Sequence, residues 1–132
     1  MQIWEREWNK VLDQIDDCLR FKLDHTLRKE KIAKWMFDLD FERSRLYFTI
    51  LQTLRIFGEC IRTVSMDLRV LDSVFSTSAI SASNWEPSPD ELHDFVWNWK
   101  YITKHQIDAE ERLLRRLSAK TAEVTSLRDG VY

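Results

Sequence analysis

The chain is 132 residues long, 44% hydrophobic and 32% charged, with a formal net charge of −2. That length makes one domain or part of a larger one, and a compact fold of it buries roughly two-thirds of the unfolded surface. The composition excludes a disordered chain and one that is lipid-soluble throughout, and the charge balance offers nucleic acid no basic field to follow.

Only two Gly and two Pro occur. A many-stranded β fold needs frequent turns, so this scarcity points to a few long helices. The N-terminal MQIWEREW is charged from its fifth residue and does not read as a signal peptide. The longest apolar runs fall far short of the roughly 20 residues that span a bilayer, so these residues are not expected to cross one.

The first segment, about residues 2–29, carries Trp4, Trp8, Val11, Leu12, Ile15, Cys18, Leu19 and Leu23. Spacings of three and four set them on one helical stripe, with Glu5, Asp13, Asp17 and Arg20 facing away. The stripe weakens at Asp24-His25-Thr26, although Leu27 and Ile32 extend it, and a bend or connection is expected before Phe41.

The second segment, about residues 41–76, is the most regular. Tyr47, Ile50, Leu51, Leu54, Phe57, Ile61, Val64, Leu68, Leu71 and Phe75 recur at helical spacing. Phe48, Val70 and Val74 widen the apolar face, which predicts contact with more than one neighbour. Gly58 interrupts the pattern at about 1 kcal/mol of helix propensity relative to Ala, and a close helix approach explains it most simply. Cys18 and Cys60 lie among apolar residues at helical spacing. They make neither a disulfide framework nor a metal motif, so both are expected to be buried, reduced thiols in a reducing compartment.

A small, polar linker over about residues 77–88 ends in Trp85-Glu86-Pro87-Ser88-Pro89. There Ser88 reads as an N-cap, Pro89 as the first helical position and Glu91 as the partner in an S-x-x-E capping box, with Asp90 favoured by the helix dipole. The third segment, about residues 89–129, carries Leu92, Phe95, Trp99, Ile102, Gln106, Ala109, Leu113, Leu117, Val124 and Leu127 before Gly130. As one straight helix, Leu92 to Asp129 would measure about 57 Å. Short connections between long amphipathic helices predict an all-α fold, an elongated antiparallel bundle of three helices forming a single domain.

No catalytic constellation is legible: G-x-S-x-G, H-E-x-x-H, a Walker loop and G-x-G-x-x-G are all missing, so an enzyme is not expected. His25, His93 and His105 are scattered and read as lone surface or packed histidines. Asp38, Asp40 and Glu42 are the candidate metal residues, three carboxylates in five positions suited to Mg²⁺ or Ca²⁺. They lack the further ligands and turn glycine of an EF-hand, and Asp38 or Asp40 also reads as a cap for the second helix. Arg112, Arg115 and Arg116 follow Asp108 and Glu111, which reads as a solvated face supported by pairs four residues apart. Trp4, Trp8 and Trp99 lie on the stripes, whereas Trp35, Trp85 and Trp97 are less constrained and are candidates for a partner contact.

The stretch Leu113 to Tyr132, above all Lys120-Thr121-x-Glu123-Val124-x-Ser126-Leu127-Arg128-Asp129-Gly130, resembles the end of the cytosolic stalk of fungal CorA-like magnesium transporters. Trp8-x-x-Val11-Leu12-Asp13-x-Ile15-Asp16, the run from Met36-Phe37-Asp38 through Tyr47-Phe48 to Phe57, and Asn98-Trp99 are similar to the same family. The resemblance implies an all-α cytosolic unit continuing into membrane helices, five subunits forming a funnel, and Mg²⁺ between subunits helping to hold the pore closed. The Gly-Met-Asn pore signature and both membrane helices are absent from these residues, as is the N-terminal α/β portion of the family. Transport by this chain alone is therefore not expected, no cofactor is assigned within it, and no regulatory metal ligand carries over. The expected location is the cytosolic side of a membrane within a full transporter, or the cytoplasm for this chain by itself. The alternative is a stand-alone helical interaction module. Either way, the expected partner is a second copy or a helical protein held through exposed apolar stripes.

Overall fold

A computed structural model describes residues 2–29, 36–77 and 88–130, and all of these except Ser88 and Gly130 are helical. The fold is all-α, with three helices: α1 spans Gln2–Lys29, α2 Met36–Thr77 and α3 Pro89–Asp129. The two longest have 42 and 41 residues, each about 60 Å at 1.5 Å per residue. The expected linker, apart from Thr77 and Ser88, lies outside the described residues, as do Ile32, Trp35 and Trp85. For Leu23, His25, Leu27 and Phe75 only the helical backbone is described.

The start of α3 follows from its local chemistry. Ser88 has extended backbone angles, its hydroxyl accepts from the Glu91 amide at 3.2 Å, and the Glu91 carboxylate accepts from the Ser88 amide at 3.0 Å. Each partner satisfies a backbone or side-chain group that the helix end would otherwise leave open. At the other end Gly130 takes φ 71°, ψ 20°, and its amide donates to Leu127 and Ser126 carbonyls. This left-handed geometry suits glycine, which has no Cβ to clash.

The core is a line of apolar residues from all three helices. Leu12 and Leu19 come from α1, Tyr47, Ile50, Leu54 and Ile61 from α2, and Leu113, Leu117 and Val124 from α3. Trp4, Trp8, Ile15, Leu46, Leu51, Phe57, Leu114 and Leu127 pack around them half-buried. Trp8 meets Phe57 edge-on, with ring centroids 5.3 Å apart, a favourable geometry for aromatic quadrupoles. α2 and α3 make the closest approach, and α1 stands farther off.

The contacts also give the sense of each helix. Gly58 lies beside Leu117 and Asp72 meets Trp99, so numbering rises along α2 as it falls along α3. Glu5 meets Arg112 and Asp16 meets Lys120, so α1 and α3 rise together. In consequence α1 starts near the level of Arg112 and runs toward Asp129. The other half of the α2–α3 pair, around residues 62–77 and 89–105, has no described part of α1 against it.

This layout corrects several sequence-based expectations. Leu71 and Ile102, assigned to the buried stripes, are 44% and 41% exposed, because they sit beyond the reach of α1. Although α2 does meet both α1 and α3, Phe48, Val70 and Val74 are exposed, and no described residue covers them. Both cysteines, expected to be buried, are exposed free thiols. Each sits one position from a buried residue (Leu19 or Ile61), and one step turns a helix by about 100°, enough to leave the core. Ser65 is fully buried although polar, and was not singled out.

Candidate interaction surfaces

One polar surface joins α1 to α3. Arg112 clamps the Glu5 carboxylate through Nε at 2.7 Å and Nη2 at 3.0 Å. One turn on, Arg116 Nη1 donates to the Asn9 carbonyl and Oδ1, while Nη2 donates to Asp13 at 2.6 Å and Asp16 at 3.2 Å. A further turn on, the Lys120 ammonium sits on the Asp16 carboxylate and 2.7 Å from Glu123. The cationic positions 112, 116 and 120 recur every four residues, which aligns them along one helix face. Positions 5, 9, 13 and 16 answer them from α1.

The electrostatics follow from this pairing. The hydrogen bond from Arg112 holds the Glu5 carboxyl below its ordinary pKa, against the effect of burial. Burial opposes ionisation of Asp16, but the neighbouring Lys120 and Arg116 charges outweigh it and leave its pKa lowered. Lys120 likewise loses hydration, yet Asp16 and Glu123 raise its pKa. Glu110 behaves oppositely, because burial raises its pKa more than Arg69 and Arg62 lower it.

The seam revises the solvated-face reading of the arginines. Arg115 does pair with Glu111 at 3.0 Å across one helical turn. Arg112 and Arg116 instead reach across to α1, and Glu5, assigned to the outward face, lies in the seam. The signal was present as two stripes of opposite charge with matching four-residue spacing. Nothing local connects them, since the paired residues are 100 to 107 positions apart.

The metal candidates have a different setting. Because α2 starts at Met36, Asp38 and Asp40 fall within its first two turns, so neither is a cap ahead of the helix. Positions two apart on a helix are about 200° apart around its axis, so position 40 lies across from positions 38 and 42. Glu42 is exposed. Among the described residues, no group of three or more His, Cys, Asp or Glu side chains is placed to hold a metal ion. His93 and His105 are exposed, the latter against the Tyr101 ring with centroids 4.2 Å apart.

Two apolar surfaces face outward. On α2, Phe41, Phe48, Ile56, Met66, Val70 and Val74 are exposed, and at 100° per residue they fall on the side opposite Leu54 and Ile61. On α3, Trp97 and Tyr101 are exposed and meet edge-on at 6.3 Å. Trp99, by contrast, is half-buried and donates its indole N–H to Asp72 at 2.8 Å. A shallow groove of about 150 Å³ lies among Trp4, Glu7, Trp8 and Val11. Among the described residues no helix is long and apolar enough to cross a membrane. Compared with models of known protein families, with curated proteins and with solved structures, the chain matches none.

Proposed function

We propose that the chain is an assembly element, the cytosolic helical stalk segment of a CorA-like magnesium or other divalent-cation transporter, not transport-competent by itself. The carrying observation is the outward apolar row on α2, from Phe41 to Val74, which no described residue covers. Rows of exposed apolar residues on rigid helices suit burial against neighbouring helices. The stalk-like stretch ending in Ser126-Leu127-Arg128-Asp129-Gly130 supplies the identity of the assembly.

The coding sequence that follows Tyr132 tests this reading. Two apolar runs of about 20 residues with Gly-Met-Asn nearby support it, and a stop codon with no such downstream exon overturns it for this product. Sedimentation with and without millimolar Mg²⁺ tests the metal linkage separately. Unchanged association and stability would remove a regulatory metal from the proposal.

A stand-alone helical interaction module is the second reading. Trp97 and Tyr101 favour it, since this exposed aromatic pair on α3 offers a contact surface that needs no membrane helices.

A further inference from the structure

The outer face of α3 carries a pattern that no other described element uses. Asp90, Asp94, Trp97, Tyr101 and Lys104 are spaced four, three, four and three apart, the seam spacing of a two-helix coiled coil. At 100° per residue they lie opposite the buried Gln106 and Leu113, so the fold of the chain leaves this face outward. Trp97 and Tyr101 at its centre are 58% and 55% exposed.

Charge separates along this strip. Asp90 and Asp94 lie at one end, while Lys104 lies at the other with Lys100 beside it. None of the four forms an ion pair with another described residue. Asp90 and Asp94 are four apart, as are Lys100 and Lys104, and like charges at that spacing destabilise a helix. The next seam position, Asp108, is already beside Arg112 and contributes to its raised pKa. The other half of α3 also presents a charged face, but there α1 supplies the opposite charges. Around Trp97 no described element does.

We propose that a second copy of this chain supplies them, docking α3 against α3 in opposite directions about a two-fold axis at the level of Trp99. In such a pair each seam position before Trp99 meets the one equally far after it on the second copy, and the two-fold repeats the contact. Trp97 then packs on Tyr101 of the second copy, and Asp94 faces Lys104 of the second copy, each contact occurring twice. The aromatic centre is self-complementary, and the antiparallel sense sets acid against base at Asp94 and Lys104, while Asp90 meets Asp108 of the second copy with Arg112 beside it. A parallel pair would set acid on acid and base on base. The contact does not depend on the stalk reading, because stalks in one ring run parallel.

Sedimentation equilibrium of the whole chain over a range of concentrations, with D94K, K104D and the double variant D94K/K104D, tests the proposal. These positions are exposed, and circular dichroism checks that each variant keeps its helix content. The wild-type chain should form a dimer. Each single reversal should weaken it about tenfold by placing like charges together twice, and the double reversal should restore it to within about threefold. The proposal is overturned if the chain stays monomeric, if the single reversals leave association unchanged, or if the double variant associates no better than the singles. Association lost on V70K but indifferent to the α3 reversals would assign the contact to α2 and also overturn it.

Discussion

At the residue scale, two kinds of position in the α2–α3 seam are tuned below what the fold permits. Gln106 is 1% exposed and its Nε2 has no hydrogen-bond partner, and the buried Ser65 hydroxyl has none either. An unsatisfied buried polar group costs about 1–3 kcal/mol. Gln106→Met keeps the length of the side chain and removes the amide, so thermal unfolding should show stabilisation of about 1 kcal/mol or more. A lower melting temperature would mean that the amide has a partner in solution. Gly58 is the other position. A Cβ there would meet the mobile Arg62 guanidinium at 3.3 Å and Leu117 at an ordinary 3.8 Å. The close approach therefore leaves room for a methyl group. Gly58→Ala should stabilise the chain by about 0.5–1 kcal/mol through helix propensity, and destabilisation would show that Arg62 cannot give way.

At the element scale, α1 depends on side chains where α2 and α3 rely on close packing. Arg116 joins Asn9, Asp13 and Asp16 with a single planar head, a role that the ammonium of lysine does not reproduce. Arg116→Ala should destabilise the chain by about 1–2 kcal/mol, the lower part of the range for charged hydrogen bonds because the seam is partly solvated. The loss should concentrate in α1, read as faster amide exchange from Leu12 to Leu19 with little change in α2. Equal loss in all three helices would show that α1 docks only as part of one cooperative unit.

The same elements show how much was legible beforehand. The start of α3 was readable to the residue because Ser88, Pro89 and Glu91 act within one turn. Met36, where α2 begins, was not, since no capping motif precedes it in the sequence and the expectation fell at about residue 41. Stripe centres such as Leu12, Leu54 and Leu113 were legible from spacing. Leu71 and Ile102 were not, because their exposure depends on the level at which α1 lies along the other two helices.

For the whole molecule, pH separates the two parts of the bundle. Glu5 and Asp16 have lowered pKa values, so their contribution is complete above the ordinary carboxylate range near pH 4 and is lost as pH falls through the folded values. Glu110 has a raised pKa, so its ionisation weighs against the folded state at neutral pH, and that burden lifts as pH falls through its folded value. Acid should therefore release α1 first while α2 and α3 stay paired. Amide exchange, corrected for intrinsic rates, should show α1 losing protection at a higher pH than the α2–α3 seam. Simultaneous loss would overturn this order.

The sequence by itself determined that the chain makes long helices, where the third one starts, and which positions centre the buried stripes. These are consequences of 3.6-residue periodicity and of hydrogen bonds within a turn. Only the tertiary structure decided that Arg112 and Arg116 answer α1, that Cys18 and Cys60 face outward, and that Trp97 lies on an exposed, charge-segregated face. Those outcomes depend on which helix covers which flank and at what level, and positions more than 100 residues apart exchange that information only by meeting in the folded chain.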